Sequence, residues 1–219
     1  VVLARTQEAA AAPATADRRD HLAHRRCRAR HPEHPAAAVP GDPALEKLTY
    51  EADFERLAPA MISRTGQGFD VHAFGDGDHV MLGGVRIAHD RGIVAHSDGD
   101  VVLHAICDAL LGAMGEGDLG RHYPSSDQRY KNISSLKLLE DVVGKLRAKG
   151  YRLANVDSTI IAQAPRLSPH LAAMQKSIAG VLQVDPELVN VKVKSGEGLD
   201  AVGREEAVAA QAVCLIMRD

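Results

Sequence analysis

An aspartate and a histidine two positions apart give the first indication of chemistry in this sequence. Asp70 and His72 lie in a segment that we predict to be extended, so their side chains point to the same side. A carboxylate oxygen beside an imidazole nitrogen provides half of a mixed oxygen and nitrogen zinc site. The pair alone is a weak indication, because polar residues on a strand are commonly just exposed to solvent.

A second group of polar residues opens a predicted helix. After His96 and Ser97, the residues Asp100, His104 and Asp108 follow at intervals of four and share one helix face. His104 is a candidate third ligand, because a catalytic zinc takes three protein ligands and leaves one position open. Asp100 or Asp108 could orient its imidazole, although a helix cap is the plainer interpretation of Asp100. His96 precedes the electropositive helix N-terminus, which suits a phosphate group.

A third group lies where a predicted strand ends in a glycine-rich turn, Lys194-Ser195-Gly196-Glu197-Gly198. Backbone N–H groups of such a turn can bind a phosphate, and Lys194, Ser195 and Arg204 would add donors. Glu197 is a candidate ligand for a divalent cation between phosphates. The spacing is not that of a Walker loop. The three groups together predict a zinc site beside phosphate-binding loops.

Hydrophobic periodicity predicts the elements that position these residues. The predicted strands cover residues 62–74, 151–163, 189–194 and 207–217, a Gly83-Gly84 turn joins a hairpin over 80–87, and helices cover 97–114, 134–149 and a segment opening at Ser168-Pro169. We expect an α+β fold, a mixed four-stranded sheet with helices on one face. The apolar segment 207–217 is predicted to be a central strand buried on both faces. Ser97 with Asp100 resembles a capping box.

The composition excludes several classes of protein. The 219 residues carry a net charge of −3 and only 3% aromatic residues, which argues against a nucleic-acid-binding surface. The longest apolar run, Ala212 to Met217, is far shorter than the ~20 residues of a membrane-spanning helix. The three cysteines form no CxxC pair, which excludes a disulfide scaffold and favours a reducing compartment. We therefore expect neither nucleic acid nor a membrane as a partner.

The composition changes near residue 60, and we divide the chain there into residues 1–60 and a domain of residues 61–219. Residues 1–40 are rich in alanine and arginine, contain four prolines and show no periodic apolar face. The plain interpretation is a disordered tail. An organellar transit peptide is an alternative, since the stretch is arginine-rich and poor in acidic residues, but it lacks serine.

Five motifs in sequence order resemble a known enzyme family. They are GFDVHAF at 68–74, LGGVRI at 82–87, AHSDGDVVLHAICDALLGA at 95–113, GDLG at 117–120 and NVDSTIIAQAPRL at 155–167. The chain from about Thr65 onward is similar to the 2-C-methyl-D-erythritol 2,4-cyclodiphosphate synthases of the non-mevalonate isoprenoid pathway. Residues 37–57 resemble the last strand and helix of the methylerythritol phosphate cytidylyltransferases, which some bacteria fuse in front of the synthase. On this interpretation, residues 1–60 are a non-catalytic remnant of a fused protein.

The resemblance implies a lyase that converts 4-diphosphocytidyl-2-C-methyl-D-erythritol 2-phosphate to 2-C-methyl-D-erythritol 2,4-cyclodiphosphate and releases CMP. The 2-phosphate of the substrate attacks the β-phosphorus, so no protein nucleophile is needed. His96 and Ser195 match positions that stabilise the transition state, and Glu197 matches one that contributes to a second divalent ion, Mg²⁺ or Mn²⁺. The positions that match the zinc ligands are Asp70, His72 and His104.

The resemblance also implies which residues contact the substrate. The loop that holds the methylerythritol phosphate end corresponds to Asp118, Leu119, Gly120, Tyr123, Pro124, Ser125, Ser126 and Asp127. The cytidine pocket corresponds to Ala162, Gln163, Ala164, Pro165, Arg166, Leu167, Ser168, Lys194, Ser195, Gly196 and Glu197. The remaining implied contacts are Asp70, Val71, His72, His96, Ser97 and Arg204.

The family forms a homotrimer with its active sites between adjacent subunits, which implies the same assembly here. A bacterial cytoplasmic location is expected, or a plastid if residues 1–60 are a transit peptide. The sequence departs from the common family pattern at three positions. Ser195 and Lys194 stand where threonine is common, and Ala201 stands where a phenylalanine commonly lines an apolar cavity on the trimer axis.

Two other functions use the same residues. A zinc phosphoesterase would employ the ion to activate water. A trimeric module with a structural zinc would close the site with a fourth protein ligand, from Asp100, Asp108 or a neighbouring subunit.

Overall fold

A computed structural model describes residues 62–218, and the predictions for residues 1–60 lie outside this part of the chain. Within residues 62–218, seven strands and five α-helices follow one another in the order β1 (Ile62–Gly75), β2 (His79–Leu82), β3 (Val85–Ala88), β4 (Gly92–Ile93), α1 (Val101–Met114), α2 (Leu119–His122), α3 (Ser135–Ala148), β5 (Arg152–Ile161), α4 (Leu171–Leu182), β6 (Val189–Lys194), α5 (Asp200–Gly203) and β7 (Ala207–Arg218). The predicted α+β class is confirmed.

The main sheet is mixed and has five strands in the order β4-β1-β7-β5-β6. Strand β7 pairs antiparallel with β1 and β5, while β5 and β6 are parallel. The prediction of four strands was wrong, because Gly92–Ile93 adds a short edge strand to β1. Two residues are too few to produce an alternating pattern, so the sequence carries no periodic signal for that strand.

The predicted hairpin is confirmed and forms a separate two-stranded sheet from β2 and β3. Gly83 and Gly84 have φ angles of 59° and 75°, as a primed two-residue turn requires. Their backbone N–H groups donate to the two carboxylate oxygens of Asp100, at 2.9 and 2.7 Å. The turn is therefore fastened to the residue that begins α1.

Helix α1 begins after Asp100, whose carboxylate also accepts hydrogen bonds from the backbone N–H groups of Val102 and Leu103. The predicted capping box with Ser97 was wrong, and the plainer interpretation of Asp100 as the cap is confirmed. The predicted helix at Ser168 begins with a short 3₁₀ turn, and α4 starts three residues later, at Leu171. Its first turns have no side-chain cap.

Helix α1 lies unusually close to the sheet, where β1 contributes two glycines. A β-carbon at Gly66 would lie 1.8 Å from the carbonyl oxygen of Ala109, and one at Gly68 would lie 2.0 Å from that of Ala105. Only glycine allows this approach. Helix α3 packs on the outer side of α1, and α4 packs on α3 and β6. The core lies between this helical layer and one face of the sheet.

Among residues 62–218, the other face of the sheet is covered only at one end, where Val202 of the short helix α5 packs on Ala207 and Ala209 of β7. The rest of this face is called the open face below. Phe69, Val71 and Val213 are 57%, 49% and 41% exposed there. Burial of β7 on both faces is confirmed only for its first residues, because exposed and buried residues alternate from Gln211 onward. None of the helices among residues 62–218 has the length and apolar content needed to cross a bilayer.

Candidate metal and substrate site

Strand β1 and helix α1 bring Asp70, His72 and His104 together into what we call the triad. Asp70 Oδ2 lies 3.1 Å from His72 Nε2 and 2.8 Å from His104 Nδ1. The two imidazole nitrogens are 3.3 Å apart. Ligands bound at about 2.0–2.2 Å to a tetrahedral ion are separated by distances of this order. The triad thus presents three donor atoms with the spacing of a possible metal site.

Despite burial, hydrogen bonds within the triad lower the pKa of Asp70 and raise that of His104. Burial raises the pKa of Asp70, but hydrogen bonds with His104 and His72 outweigh it and hold that pKa well below its usual value. Burial lowers the pKa of His104, and the hydrogen bond with Asp70 more than reverses this. The carboxylate therefore stays ionised at neutral pH, which is the form that binds a cation.

The second ring nitrogen of His104 faces away from the triad. Its Nε2 lies 2.9 Å from Ser135 Oγ and 3.1 Å from Ser97 Oγ. The hypothesis that Asp100 or Asp108 orients this imidazole was wrong. The oxygens of Asp100 accept four backbone N–H groups, and Asp108 Oδ1 accepts the N–H of Leu119 at 2.6 Å.

Two adjoining cavities share the triad histidines as a common wall. The larger has a volume of about 370 Å³, within the range of small-molecule sites. It is lined by Asp70, His72, His104, Asp108, Asp118, Leu119, Gly120, Tyr123 and Ser125. The smaller, of about 120 Å³, adds Ala95, His96, Ser97, Tyr130, Ile133 and Leu138. Most residues expected to hold the methylerythritol phosphate end therefore lie beside the triad.

The remaining residues of that loop, Pro124, Ser126 and Asp127, do not line the cavities. The backbone carbonyl of Asp127 lies 3.3 Å from His96 Nε2, and its carboxylate pairs with Arg129 at 2.6 Å. Val71 lies between two triad residues in β1, but its side chain is on the open face.

A second group of expected site residues lies where β5 and β6 end. The strands are parallel, so residues 162–168 and 194–197 leave the sheet at the same edge. The backbone N–H of Ala162 donates to the carbonyl of Lys194 at 2.9 Å, and Ser195 Oγ donates to Glu197 Oε1 at 2.5 Å. Gln163, Arg166 and Ser168 are exposed, as are Ser195 and Glu197. We call this group the β5–β6 loops.

Within one chain, the triad and the β5–β6 loops do not meet. The register places Asp70 beside Ala210, Ala210 beside Ile160, and Ile160 beside Val193. Three strand spacings separate Asp70 from β6, or about 14 Å. Neither cavity at the triad is lined by a residue of these loops.

A sequence profile of the YgbB family matches residues 63–217. The chain belongs to the YgbB family. Similar curated proteins include the 2-C-methyl-D-erythritol 2,4-cyclodiphosphate synthase of Xanthomonas oryzae pv. oryzae (strain PXO99A). It is 54% identical over 155 residues, which cover 71% of this chain and 95% of that protein. The synthase of Azotobacter vinelandii is 56% identical over 154 residues, covering 70% and 98%.

Solved structures of similar proteins share the fold. Plasmodium falciparum IspF in its CDP complex matches with a TM-score of 0.64 and 33% identity, over 72% of this chain and 97% of that one. The bifunctional IspDF from Campylobacter jejuni matches with a TM-score of 0.71 and 40% identity, over 83% of this chain and 50% of that one.

Sequence reasoning missed two polar residues of this YgbB family site. Ser135 is fully buried beside His104, and its hydroxyl and backbone N–H both donate to the carboxylate of Asp98. Asp98 belongs to a matched motif but received no role, and no local pattern connects Ser135 with a histidine 31 positions earlier. Only the packing of α3 on α1 brings them together.

Proposed function

We propose that this chain is a 2-C-methyl-D-erythritol 2,4-cyclodiphosphate synthase, a lyase of isoprenoid biosynthesis. It converts 4-diphosphocytidyl-2-C-methyl-D-erythritol 2-phosphate to the cyclic diphosphate and releases CMP. Relatives of that name align over 95–98% of their own length at 54–56% identity. The observation that carries the proposal is the triad at the wall of a cavity, in two of the motifs that carry the resemblance.

The donor set of the triad fits Zn²⁺. One carboxylate oxygen and two imidazole nitrogens are ligands that zinc accepts, and three protein ligands leave a fourth position for substrate. A closed structural site would need a fourth protein ligand. Among residues 62–218, Asp100 is occupied by backbone N–H groups and Asp108 lies outside the group of converging donor atoms. A bound zinc ion would act as a Lewis acid and offset the negative charge of the diphosphate.

The chain itself contributes position and shielding rather than a nucleophile. His96 and Ser97 line the smaller cavity next to His104 and offer polar atoms to phosphate oxygens. Apolar side chains that also line this cavity, including Ile133 and Leu138, limit the access of water. The Cys107 thiol is fully buried, and burial raises its pKa well above the usual value, so it stays protonated and inaccessible. Attack by the substrate's own 2-phosphate needs no such group.

A complete site requires a second copy of the chain, and we propose a homotrimer with active sites between subunits. Within one chain, about 14 Å separates the triad from β6. One substrate must contact the metal and the cytidine pocket together, so we propose that the pocket comes from a neighbouring subunit. The exposed apolar residues of the open face support it as well. In that assembly, the β5–β6 loops would bind cytidine, and Glu197 would hold a second divalent ion, Mg²⁺ or Mn²⁺.

Residues 1–60 are, in this proposal, a remnant of a fused cytidylyltransferase. The bifunctional Campylobacter protein covers 83% of this chain, against 72% for the Plasmodium falciparum IspF structure, which supports the idea. Deleting residues 1–60 is then expected to leave the rate of cyclisation unchanged. A shortened chain that folds but has no activity would contradict the assignment. A cytoplasmic location stays a prediction.

Product analysis tests the proposed reaction directly. The purified chain is incubated with the diphosphocytidyl substrate and Mg²⁺, and the products are identified by mass spectrometry in water enriched in ¹⁸O. We expect the cyclic diphosphate and CMP in equal amounts, with no ¹⁸O in either, and loss of turnover after zinc chelation. Incorporation of ¹⁸O into a phosphate product would instead show a phosphoesterase that uses water.

A further inference from the structure

We propose that Ser135 and Asp98 are positioning residues whose hydrogen bonds keep a proton on His104 Nε2 and so direct Nδ1 toward the metal. The proposal deepens the zinc site proposed above and rests on it. His104 is only 8% exposed, so each of its ring nitrogens needs a partner within the protein or a bound ion. Its Nδ1 faces the triad, and its Nε2 faces the Ser135 hydroxyl at 2.9 Å.

The direction of these hydrogen bonds follows from what each group can donate. A carboxylate only accepts, and a serine hydroxyl has one hydrogen to give. The Ser135 hydroxyl donates that hydrogen to Asp98 Oδ1, while the Ser135 backbone N–H donates to Asp98 Oδ2 at 2.9 Å. The hydroxyl can therefore only accept from His104, which must carry its proton on Nε2.

Because Nε2 keeps its proton, Nδ1 is the nitrogen that gives up the proton it shares with Asp70 when a cation binds, and its lone pair then becomes the ligand. That lone pair then points at Asp70 Oδ2, 2.8 Å away, and at His72 Nε2, 3.3 Å away. Atoms that all present lone pairs at these distances repel one another unless a cation lies among them. The serine and aspartate thus prepare the triad for a cation, in the way that outer hydrogen bonds commonly fix ligating histidines.

Ser97 contributes less to this arrangement. Its hydroxyl lies 3.1 Å from His104 Nε2 and accepts the backbone N–H of Gly99 at 3.2 Å. Both distances are longer than the contact of Ser135 with His104, and Ser97 also borders the smaller cavity. We expect its replacement to affect substrate binding more than metal affinity.

Two substitutions test the proposal in opposite ways. Ser135→Ala removes the acceptor for the Nε2 proton. Asp98→Asn keeps the shape but places an amide N–H₂ against the Ser135 hydroxyl, which then turns its hydrogen toward Nε2 and forces the proton of His104 onto Nδ1. The matched control is Ser134→Ala, because Ser134 precedes α3 and makes no side-chain cap bond.

Zinc affinity is measured in the full-length protein by competition with a chromophoric chelator, and the visible spectrum of the Co²⁺-substituted protein reports the ligand geometry. Each substitution is expected to weaken zinc binding ~10- to 100-fold and to change the Co²⁺ spectrum. The double variant should be no worse than the weaker-binding single variant, because both act through one proton. Ser134→Ala should match the parent protein.

The outcomes separate this inference from the proposed function. If Ser135→Ala and Asp98→Asn melt at the parental temperature without metal and bind zinc and Co²⁺ as the parent does, the positioning role is wrong while the metal site stands. If either lowers only the melting temperature, with metal affinity and spectrum unchanged, the role is structural and the proposal is again wrong. If the parent protein and His104→Ala bind zinc equally, the triad is not the metal site and both proposals fail.

Discussion

The triad and the β5–β6 loops are built in contrasting ways. The triad is held by a long strand and a buried helix, its donor atoms are already within 3.3 Å of one another, and His104 is nearly inaccessible to solvent. The loops follow the ends of two strands. Ser195 and Glu197 are exposed there, and the Ser195 hydroxyl donates to the Glu197 carboxylate. Under the proposed function, the difference teaches that one chain alone can assemble the metal ligands, whereas the nucleotide pocket would be completed only in the proposed assembly.

Removal of a triad ligand is expected to have the largest effect. His104→Ala should abolish stoichiometric zinc binding and lower kcat/KM by about 10³-fold or more, because the Lewis acid contributes several kcal/mol to the transition state. Zinc content and turnover are measured on the same preparation. His79→Ala, at a partly exposed histidine paired with Asp78, serves as the control. A variant that keeps its zinc and its full turnover would refute the ligand assignment.

Disruption of the open face should separate the two regions. Val213→Lys places a charge on the open face, where its cross-strand partner Asp157 already pairs with Lys192. We expect the assembly to dissociate to single chains that still bind one zinc each but lose turnover by about 10²-fold or more, since no second subunit completes the site. Light scattering and zinc analysis measure this. The control is Leu188→Lys, at another exposed apolar residue, which should leave both the size of the assembly and the turnover unchanged. Full activity in a monomeric variant would show that one chain suffices.

Substitution in the β5–β6 loops should affect catalysis without affecting the metal. Ser195→Ala removes a hydroxyl proposed to stabilise the transition state, and kcat should fall by about 10²-fold. Zinc affinity should stay at the parental value, because Ser195 is not among the converging donor atoms of the triad. Ser63→Ala, at an exposed serine near the start of β1, is the control. A loss of zinc in Ser195→Ala would mean that the regions are not independent.

The smallest effect is expected at Tyr123, which lines both cavities. Its hydroxyl points away from the triad and donates to Asp141 on α3. Partial burial and that hydrogen bond raise the pKa of the phenol, so it stays protonated at any working pH. Tyr123→Phe keeps the ring and should change kcat/KM less than about threefold, with a stability loss of about 0.5–1.5 kcal/mol in a urea titration. A much larger kinetic loss would assign the hydroxyl a role in the reaction.

Residues on single regular elements could be predicted, and residues joined only by packing could not. Asp70 and His72 follow from strand periodicity, and Asp100 as a cap follows from its place before an apolar helix. The convergence of His104 with Asp70 was implied by the family motifs, since nothing in the local sequence fixes how α1 sits on β1. The role of Ser135 could not be predicted, because its partner His104 lies on a different helix. The predicted number of strands was wrong for a different reason: β4 has only two residues, too few to show a hydrophobic pattern.

The close approach of α1 to β1 has a consequence for engineering this protein. Gly66 and Gly68 have no side chain, so the backbone of α1 can approach β1 closely. This approach sets the distance between His104 and Asp70. Enlarging either residue would lift the helix and widen the ion pocket before any ligand was changed. Attempts to retune the preference for one metal over another should therefore exchange donor atoms and leave these two backbone positions untouched.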